Sequence, residues 1–408
     1  MVMLPRTLKT TILEAAKTFP AIVVTGPRQS GKTTLLKSIF GGSHAYLNLE
    51  NPDVRSRAKE DPIGLLNQYK GPIIFDEIQY VPELFSYIKD SIDANRTPAR
   101  FVLTGSQNFL LMEKVSESLA GRAAILTLLP LSLREVSGLG DGVLSVSNLL
   151  ENFRNSKQLE LNSLQDLAKV ILRGSYPEPV SNPEVDRQLW YGSYINTYLE
   201  RDVRNLERIG ELSDFERFVK SCAIRTGQIL NLSDVAKDVG VSLTTAKRWL
   251  SLLETGYQIF LLHPYYKNLG KRLVKSPKIY FCDTGVASYL MGLNDESALI
   301  NNSHFGNLFE TLIVTDFLKR YLNFGRNPSM YYFRTRDKLE IDLVLEESQK
   351  LACFEMKSGS TITSKHVYSL RSIKRYFADL IDVVGVISGT GENFNVVEGI
   401  KNFSWKSL

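Results

Sequence analysis

The run Gly26-Pro27-Arg28-Gln29-Ser30-Gly31-Lys32-Thr33 constrains this chain more than any other stretch. It follows an apolar segment, Ala21-Ile22-Val23-Val24-Thr25, and opens a helix-forming one, Thr33–Phe40. Two spaced glycines let the main chain turn its N–H groups inward around an anion without a Cβ clash. The helix that follows adds the positive end of its dipole. Lys32 supplies a point charge for the β- and γ-phosphates, and Thr33 a hydroxyl for Mg2+. Spacing and context predict a triphosphate cradle built from Gly26, Pro27, Arg28, Gln29, Ser30, Gly31, Lys32, Thr33 and Thr34.

Such a cradle needs a parallel sheet behind it, and the first third of the chain alternates in that way. Strands are expected at Ala21–Thr25, Ala45–Leu49, Ile73–Phe75, Phe101–Thr104 and Ala124–Leu128. Helical periods fall at Thr33–Phe40, Pro52–Lys59, Pro82–Asn95 and Phe109–Leu119. The segment Gly71-Pro-Ile-Ile-Phe-Asp76-Glu77 ends an apolar strand in two carboxylates. Asp76 there is placed to hold Mg2+ through water, and Glu77 to act as general base on an attacking water. An adjacent acid pair favours hydrolysis over transfer, and no separate acceptor site is evident. In Phe101-Val-Leu-Thr104-Gly-Ser106-Gln107, the residues Thr104, Ser106 and Gln107 are candidates to orient the water or sense the γ-phosphate, against an ordinary polar strand end. Arg122 reads either as a finger reaching a neighbouring subunit's nucleotide, as a sensor in cis, or as a solvated loop arginine.

Composition bounds the rest. A chain of 408 residues holds two to four domains. With 43% apolar and 23% charged residues it is not wholly disordered, collagen-like or a coiled coil. A net charge of +5 admits a nucleic-acid partner without arguing for one. Cys222, Cys282 and Cys353 are odd in number and far apart, which fits a reduced, cytoplasmic setting rather than a disulfide framework. No Cys/His cluster suits zinc. Residues 1–20 read as an amphipathic helix without the apolar core of a signal peptide, and no run is long enough to span a membrane.

The middle of the chain is helical, with the clearest period at Asn205–Lys237 and Ser242–Leu253. Within it, Leu232 to Leu250 has helix-turn-helix spacing. Ser233 and Ser242 stand as N-cap candidates, Ala236 where two helices cross, and Gly240 at a left-handed turn. Thr244, Thr245, Lys247 and Arg248 form the polar face of the second helix, placed for phosphates or base edges. Strands at Ile259–Leu262 and Ile279–Phe281 would add a wing. Between them lie Lys267, Lys271, Arg272, Lys275 and Lys278 with Tyr265 and Tyr266, a composition suited to tracking a nucleic-acid backbone. The alternative is a packing unit with solvated charges.

The last block offers Glu310 on a helix (Phe305–Phe324), Asp342 on a strand (Leu339–Leu345), and Glu355-Met-Lys357 on the next (Leu351–Met356), after a turn at 346–350. Strand alternation puts Glu355 and Lys357 on one face. Two carboxylates plus a lysine are what metal-assisted phosphodiester cleavage needs: Asp342 and Glu355, with Glu310 as a further candidate, for Mg2+, and Lys357 to orient water or stabilise the developing charge. The same residues also read as a plain one-sided strand pair.

Several of these segments together resemble a prokaryotic AAA-type P-loop ATPase family. They are Gly26–Thr33, Phe75-Asp76-Glu77-Ile78-Gln79, Leu103-Thr104-Gly105-Ser106, and Leu119-Ala-Gly-Arg122 followed by Leu129-Pro-Leu-Ser. Later segments extend it: Gly174-Ser-Tyr-Pro, Tyr198-Leu-Glu-Arg-Asp202, 271–280, Asp283-Thr-Gly and Glu340-Ile-Asp342. The order helix-Glu, strand-Asp, strand-Glu-x-Lys resembles the restriction-endonuclease-like superfamily. The resemblance implies an α/β fold, with an AAA-type domain of parallel sheet at 1–136. A helical lid at 137–204, a winged helix-turn-helix at 205–284 and a small α/β nuclease-like domain at 285–408 would follow. It implies ATP binding and hydrolysis and a DNA-related or regulatory role; the residues themselves add Mg2+ as a cofactor through Thr33 and Asp76, a DNA-associated motor or remodeller as the leading reading, and a homo-oligomeric ring if Arg122 is a finger in trans. A slow nucleotide switch and an ATP-gated nuclease are the other readings.

Overall fold

The computed structural model describes residues 4–106, 115, 117–140, 163–198, 212–266, 276–335, 337, 339–377 and 379–408. Three sheets organise them. The first has five parallel strands in the order β2-β3-β4-β1-β5: β1 Ala21–Thr25, β2 Ala45–Asn48, β3 Ile73–Asp76, β4 Phe101–Gly105 and β5 Ala123–Thr127. The three central strands are buried along their whole length, as both faces of a covered parallel sheet require. Val23, Phe75 and Leu103 point into one apolar layer, and Ile22, Val24, Ile74 and Val102 into the other. The covering helices are α1 Leu8–Ala15, α2 Lys32–Phe40, α3 Pro52–Glu60, α4 Pro62–Gln68 and α5 Leu84–Ala94. The order matters for the site. Because β4 lies between β1 and β3, three strand ends converge at one edge: Thr25 before the cradle, Asp76, and Gly105.

The short helix α6 Leu133–Val136 leads on to α7 Leu164–Arg173, α8 Pro177–Ser181 and α9 Arg187–Thr197. The helices α10 Leu212–Ile224, α11 Leu232–Val239 and α12 Leu243–Thr255 pack on an antiparallel sheet, β6-β8-β7, of Gln228–Ile229, Lys278–Phe281 and Ile259–Leu262. The single helical pattern expected over 205–237 is broken. Gly227 takes φ +74°, and a Cβ there would lie 3.0 Å from the Asn307 carbonyl oxygen, so the chain turns and pairs as β6 instead. Gly240 is left-handed as its place between α11 and α12 requires, and Ser242 caps α12 by accepting from Thr245 N. The cap of α11 is Asn231 rather than Ser233, whose N–H it receives.

After α13 Thr284–Leu290 and α14 Glu296–Ile300 comes α15, Phe305–Asn323. The third sheet is mixed and six-stranded, in the order β13-β14-β12-β11-β10-β9. Its strands are β9 Met330–Arg334, β10 Glu340–Glu347, β11 Lys350–Lys357, β12 Ile381–Ser388, β13 Phe394–Val397 and β14 Ile400–Ser404, with α16 Tyr368–Phe377 across one face. The β10–β11 hairpin closes through Ser348 and Gln349, both at positive φ, as a two-residue turn demands. Helix α15 is buried almost all round, polar residues included, because it has elements on every side: α1, β5, β8, α13 and β11. Leu133 N donates to its Asp316 at 2.7 Å, and Thr11 to its Asn323 carbonyl at 2.7 Å.

Candidate nucleotide site

The phosphate loop has the shape its sequence implies. Gly26 (φ +145°) and Gly31 (φ +92°) both hold backbone conformations that side chains rarely adopt, and a Cβ at Gly26 would also fall 2.1 Å from the Leu128 carbonyl oxygen. Lys32, buried at the start of α2, donates from Nζ to the carbonyls of Gly26 (2.9 Å) and Pro27 (2.8 Å), so the ammonium spans the loop. Arg6 braces the loop from behind, donating to the Ser30 carbonyl (2.7 Å) and the Leu129 carbonyl (2.6 Å) while its Nε lies 3.4 Å from Glu135. Nothing in the sequence near Arg6 signalled that role.

The acidic strand end meets this loop. Thr33 Oγ1 donates to Asp76 Oδ2 at 2.9 Å. The same oxygen receives the Tyr46 hydroxyl at 2.6 Å, and Asp76 Oδ1 receives the Thr104 hydroxyl. Burial, then the hydrogen bond to Asp76, pushes the Tyr46 phenol well above its ordinary value. Glu77 follows in a left-handed conformation, φ 56°, uncommon for a residue with a side chain. Its Oε2 receives Gln79 Nε2 at 2.5 Å and Ser106 Oγ at 3.1 Å, and its amide donates to Thr104 at 3.2 Å. Lys32, Thr33, Asp76, Glu77, Thr104 and Ser106 are thus brought together. Gln107 lies outside the described residues. Tyr46 was not singled out by sequence reasoning, since its run reads as ordinary strand, and Gln79 entered only as the last residue of the Phe75–Gln79 run, with no role assigned.

Opposite the loop stands a face of α9. Trp190, Ser193, Tyr194, Thr197 and Tyr198 recur at i, i+3, i+4, i+7 and i+8, and with Arg28, Gln29, Thr34 and Glu50 they enclose an open cleft of about 460 Å3. That size falls in the range of ligand pockets. The Trp190 and Tyr194 rings are parallel, 5.4 Å apart, and the indole N–H of Trp190 donates to Glu178 at 3.0 Å. Read in sequence, this stripe is indistinguishable from a core face.

Arg122 does not join the cleft. It immediately precedes β5, whose Ala123 pairs with Ala21, the far end of β1 from the loop. Five strand residues put it about 16 Å away along the sheet. Its guanidinium makes a two-point contact with Asp93, 2.6 and 2.9 Å. The reading of Arg122 as a sensor within its own subunit is corrected by that position.

The C-terminal acids also converge, but on a cation from the chain itself. Lys278 of β8, whose side chain is 4% exposed, places Nζ 2.9 Å from Glu310, 2.7 Å from Glu340 and 3.6 Å from Asp342. Tyr280 donates to Glu310 at 2.5 Å. Glu355 is taken by Lys357 at 2.9 Å, and Asp342 accepts from Met356 N at 2.8 Å. Burial, then the Asp342 charge, pushes Glu310 up to about 7 and Glu355 up to about 8. Among the described residues no three His, Cys, Asp or Glu are disposed to hold a metal ion. The expected Mg2+ set of Glu310, Asp342 and Glu355 is therefore corrected: an internal ammonium fills the space between the first two. Lys278 is likewise no backbone-tracking cation. Nor is Tyr265 an interleaved aromatic of an exposed loop, being packed between Tyr331 and Phe377 with its hydroxyl on Glu346 at 3.0 Å. Lys267, Lys271, Arg272 and Lys275 lie outside the described residues. On α12, Thr244, Lys247 and Arg248 are exposed and Thr245 is half-buried. The three cysteines are buried and free.

An AAA domain family model matches residues 18–137. Two models described as domains of unknown function, DUF8612 and DUF4143, match 164–297 and 305–408. The chain is 33% identical over 344 residues to the uncharacterized protein Rv2008c of Mycobacterium tuberculosis, an alignment covering 84% of this chain and 71% of the relative. It is 22% identical over 323 residues to an uncharacterized protein of Haemophilus influenzae, covering 73% and 74% of the two chains. Among solved structures, the Walker-type ATPase PABY2304 of Pyrococcus abyssi is 16% identical and covers 69% of this chain and 94% of its own, at a TM-score of 0.42. Among the described residues no helix is long and apolar enough to cross a membrane.

Proposed function

We propose, from the premise that this AAA-domain chain belongs to the family of Mycobacterium tuberculosis Rv2008c, that it binds ATP between the 26–34 loop and α9 and hydrolyses it. The observation that carries the proposal is the 2.9 Å hydrogen bond from Thr33 to Asp76, which joins the phosphate loop to the acidic strand end. Main-chain amides of the loop and the Lys32 ammonium would grip the β- and γ-phosphates, Lys32 exchanging the Gly26 and Pro27 carbonyls for phosphate oxygens. Thr33 and Asp76 present hard oxygen donors that fit Mg2+, which would neutralise charge between the β- and γ-phosphates. Glu77 would take a proton from water as the water oxygen bonds to the γ-phosphorus and the bond to the β-phosphate oxygen breaks, releasing ADP and phosphate. Gln79 and Ser106 fix that carboxylate. The aromatic face of α9 would receive the base. Lys32→Ala should lose both nucleotide binding and turnover, and Glu77→Gln should keep binding while losing turnover at least ~100-fold. Unchanged ATPase activity in both variants would refute the assignment.

The finer reading is a DNA-associated motor of four units, 1–136, 137–204, 205–284 and 285–408, with 205–284 as a winged helix. Its support is the exposed Thr244, Lys247 and Arg248 on the second helix of a helix-turn-helix beside a three-stranded sheet. In a ring, Arg122 would serve the neighbouring subunit's nucleotide. A nuclease-like role for 285–408 has only the order of its acids in favour, with Lys278 seated among them. A second reading, a slow nucleotide switch, is favoured by the hydrogen bond from Tyr257, beyond α12, to Thr25 at the root of the loop. ATPase rates with and without DNA separate the two, since a motor is stimulated by its track.

A further inference from the structure

Helix α16 carries a second, separate surface. Between Glu355 and Asp379 the chain has no acid, yet it holds Lys357, Lys365, Arg371, Lys374 and Arg375. The helix is sharply two-sided. Leu370, Ile373 and Phe377, with Val367 just before it, are buried against the third sheet. Tyr368, Arg371, Ser372, Arg375 and Tyr376 recur at i, i+3, i+4, i+7 and i+8 on the other side. Tyr368 is 71% exposed and Tyr376 48%. Arg371 and Arg375 stand one turn apart, about 6 Å along the axis, and the two tyrosines flank them about 12 Å apart.

The lack of acids marks this face. Some surface cations elsewhere do meet acids: Arg217 meets Asp214, Lys220 meets Glu216, Arg225 meets Asp238 and Arg326 meets Glu347. Among the described residues no carboxylate pairs with Lys365, Arg371 or Arg375. An acid-free row of cations with a flat ring at each end fits a polyanion that also has flat faces to stack. We infer that the outer face of α16 binds a nucleic-acid strand, Arg371, Arg375 and Lys365 meeting phosphates and Tyr368 and Tyr376 meeting bases. A membrane fits less well. A basic amphipathic helix inserts its apolar face into lipid, and the apolar face of α16 is already committed to the core. The surface is separate from the nucleotide cleft, and it stands without the proposed DNA role of α12.

The test is fluorescence anisotropy of labelled single-stranded and duplex oligonucleotides with the full chain, across a salt series. R371E/R375E should weaken binding at least tenfold and, on a single strand, flatten the log–log salt slope by about 1.4, the share of two phosphate contacts. Y368A should weaken binding and leave the slope unchanged, because stacking releases no counterions. An unchanged thermal midpoint and ATPase rate in both variants shows that the fold is intact, and R371A/R375A gives the same readout should charge reversal perturb it. Undiminished binding by R371E/R375E, with binding lost in K247E/R248E, would assign the strand to α12 alone and overturn the inference. So would a chain that binds neither oligonucleotide, or one that sediments with phosphatidylserine vesicles instead.

Discussion

The Tyr257 hydroxyl donates to Thr25 Oγ1 at 2.6 Å, tying the turn beyond α12 to the last residue before the phosphate loop. Tyr257 holds φ 58°, a conformation that costs a non-glycine residue about 1–2 kcal/mol. The ring reaches the strand end from that strained backbone. Thr25 is also within hydrogen-bonding distance of Thr127 Oγ1 at 3.3 Å. Tyr257→Phe should destabilise the chain by about 1 kcal/mol, read as a lowered denaturant midpoint with an unchanged slope. Under the switch reading it should also change ATP affinity, which equilibrium dialysis measures.

Trp190→Ala removes the ring stacked on Tyr194 in the cleft and leaves the phosphate loop untouched. ATP affinity should fall by roughly tenfold, in keeping with about 1–3 kcal/mol for a base on an aromatic face. Affinity for inorganic tripolyphosphate should not change. Calorimetry with both ligands checks this, and equal losses for the two would remove the base from α9.

Lys278 faces Glu310, Glu340 and Asp342 with almost no contact with solvent. Lys278→Met should cost about 3–5 kcal/mol, because it strands buried carboxylates rather than because the pairs themselves are strong. Adding Glu310→Gln to Lys278→Met should restore part of that loss in urea unfolding.

The same cluster predicts a pH dependence. Glu355 and Glu310 bind protons in the folded chain up to about 8 and about 7, against 4.5 for the ordinary side chain, burial being the main cause of both shifts. Between those limits the folded state holds more protons than the unfolded one. This contribution to stability is complete below pH 4.5 and declines as pH rises towards 8. Glu355→Gln should flatten that decline in unfolding midpoints measured from pH 5 to 8.

Much of the first sheet was legible because its strands are short, mainly apolar runs, as at Ile73–Asp76, which Pro72 precedes and Glu77 follows. The strands β13 and β14 were not. Phe394–Val397 is an exposed edge with no inward pattern. Ile400–Ser404 buries Asn402 and Ser404, which read as surface until Ser388 and Thr390 are seen to satisfy them. The loop, Asp76 and Glu77 were legible since their chemistry depends on local spacing. Tyr46, Arg6 and the α9 face were not, because each acquires its meaning from a partner distant in sequence. Lys278 is the clearest case. Counted among its neighbours it is one more surface cation, and only the fold sets it against acids 32, 62 and 64 positions further along the chain.

Helix α15 has a bearing on how this protein can be handled. It closes the outer side of β5, receives α1 and α6, and forms the floor of the third sheet. Severing the chain anywhere from 137 to 304 would part α15 from the first sheet and break the ties from Leu133 to Asp316 and from Thr11 to Asn323. Truncation would remove those ties together with whatever activity it is meant to assign; point substitution within the intact polypeptide leaves them in place.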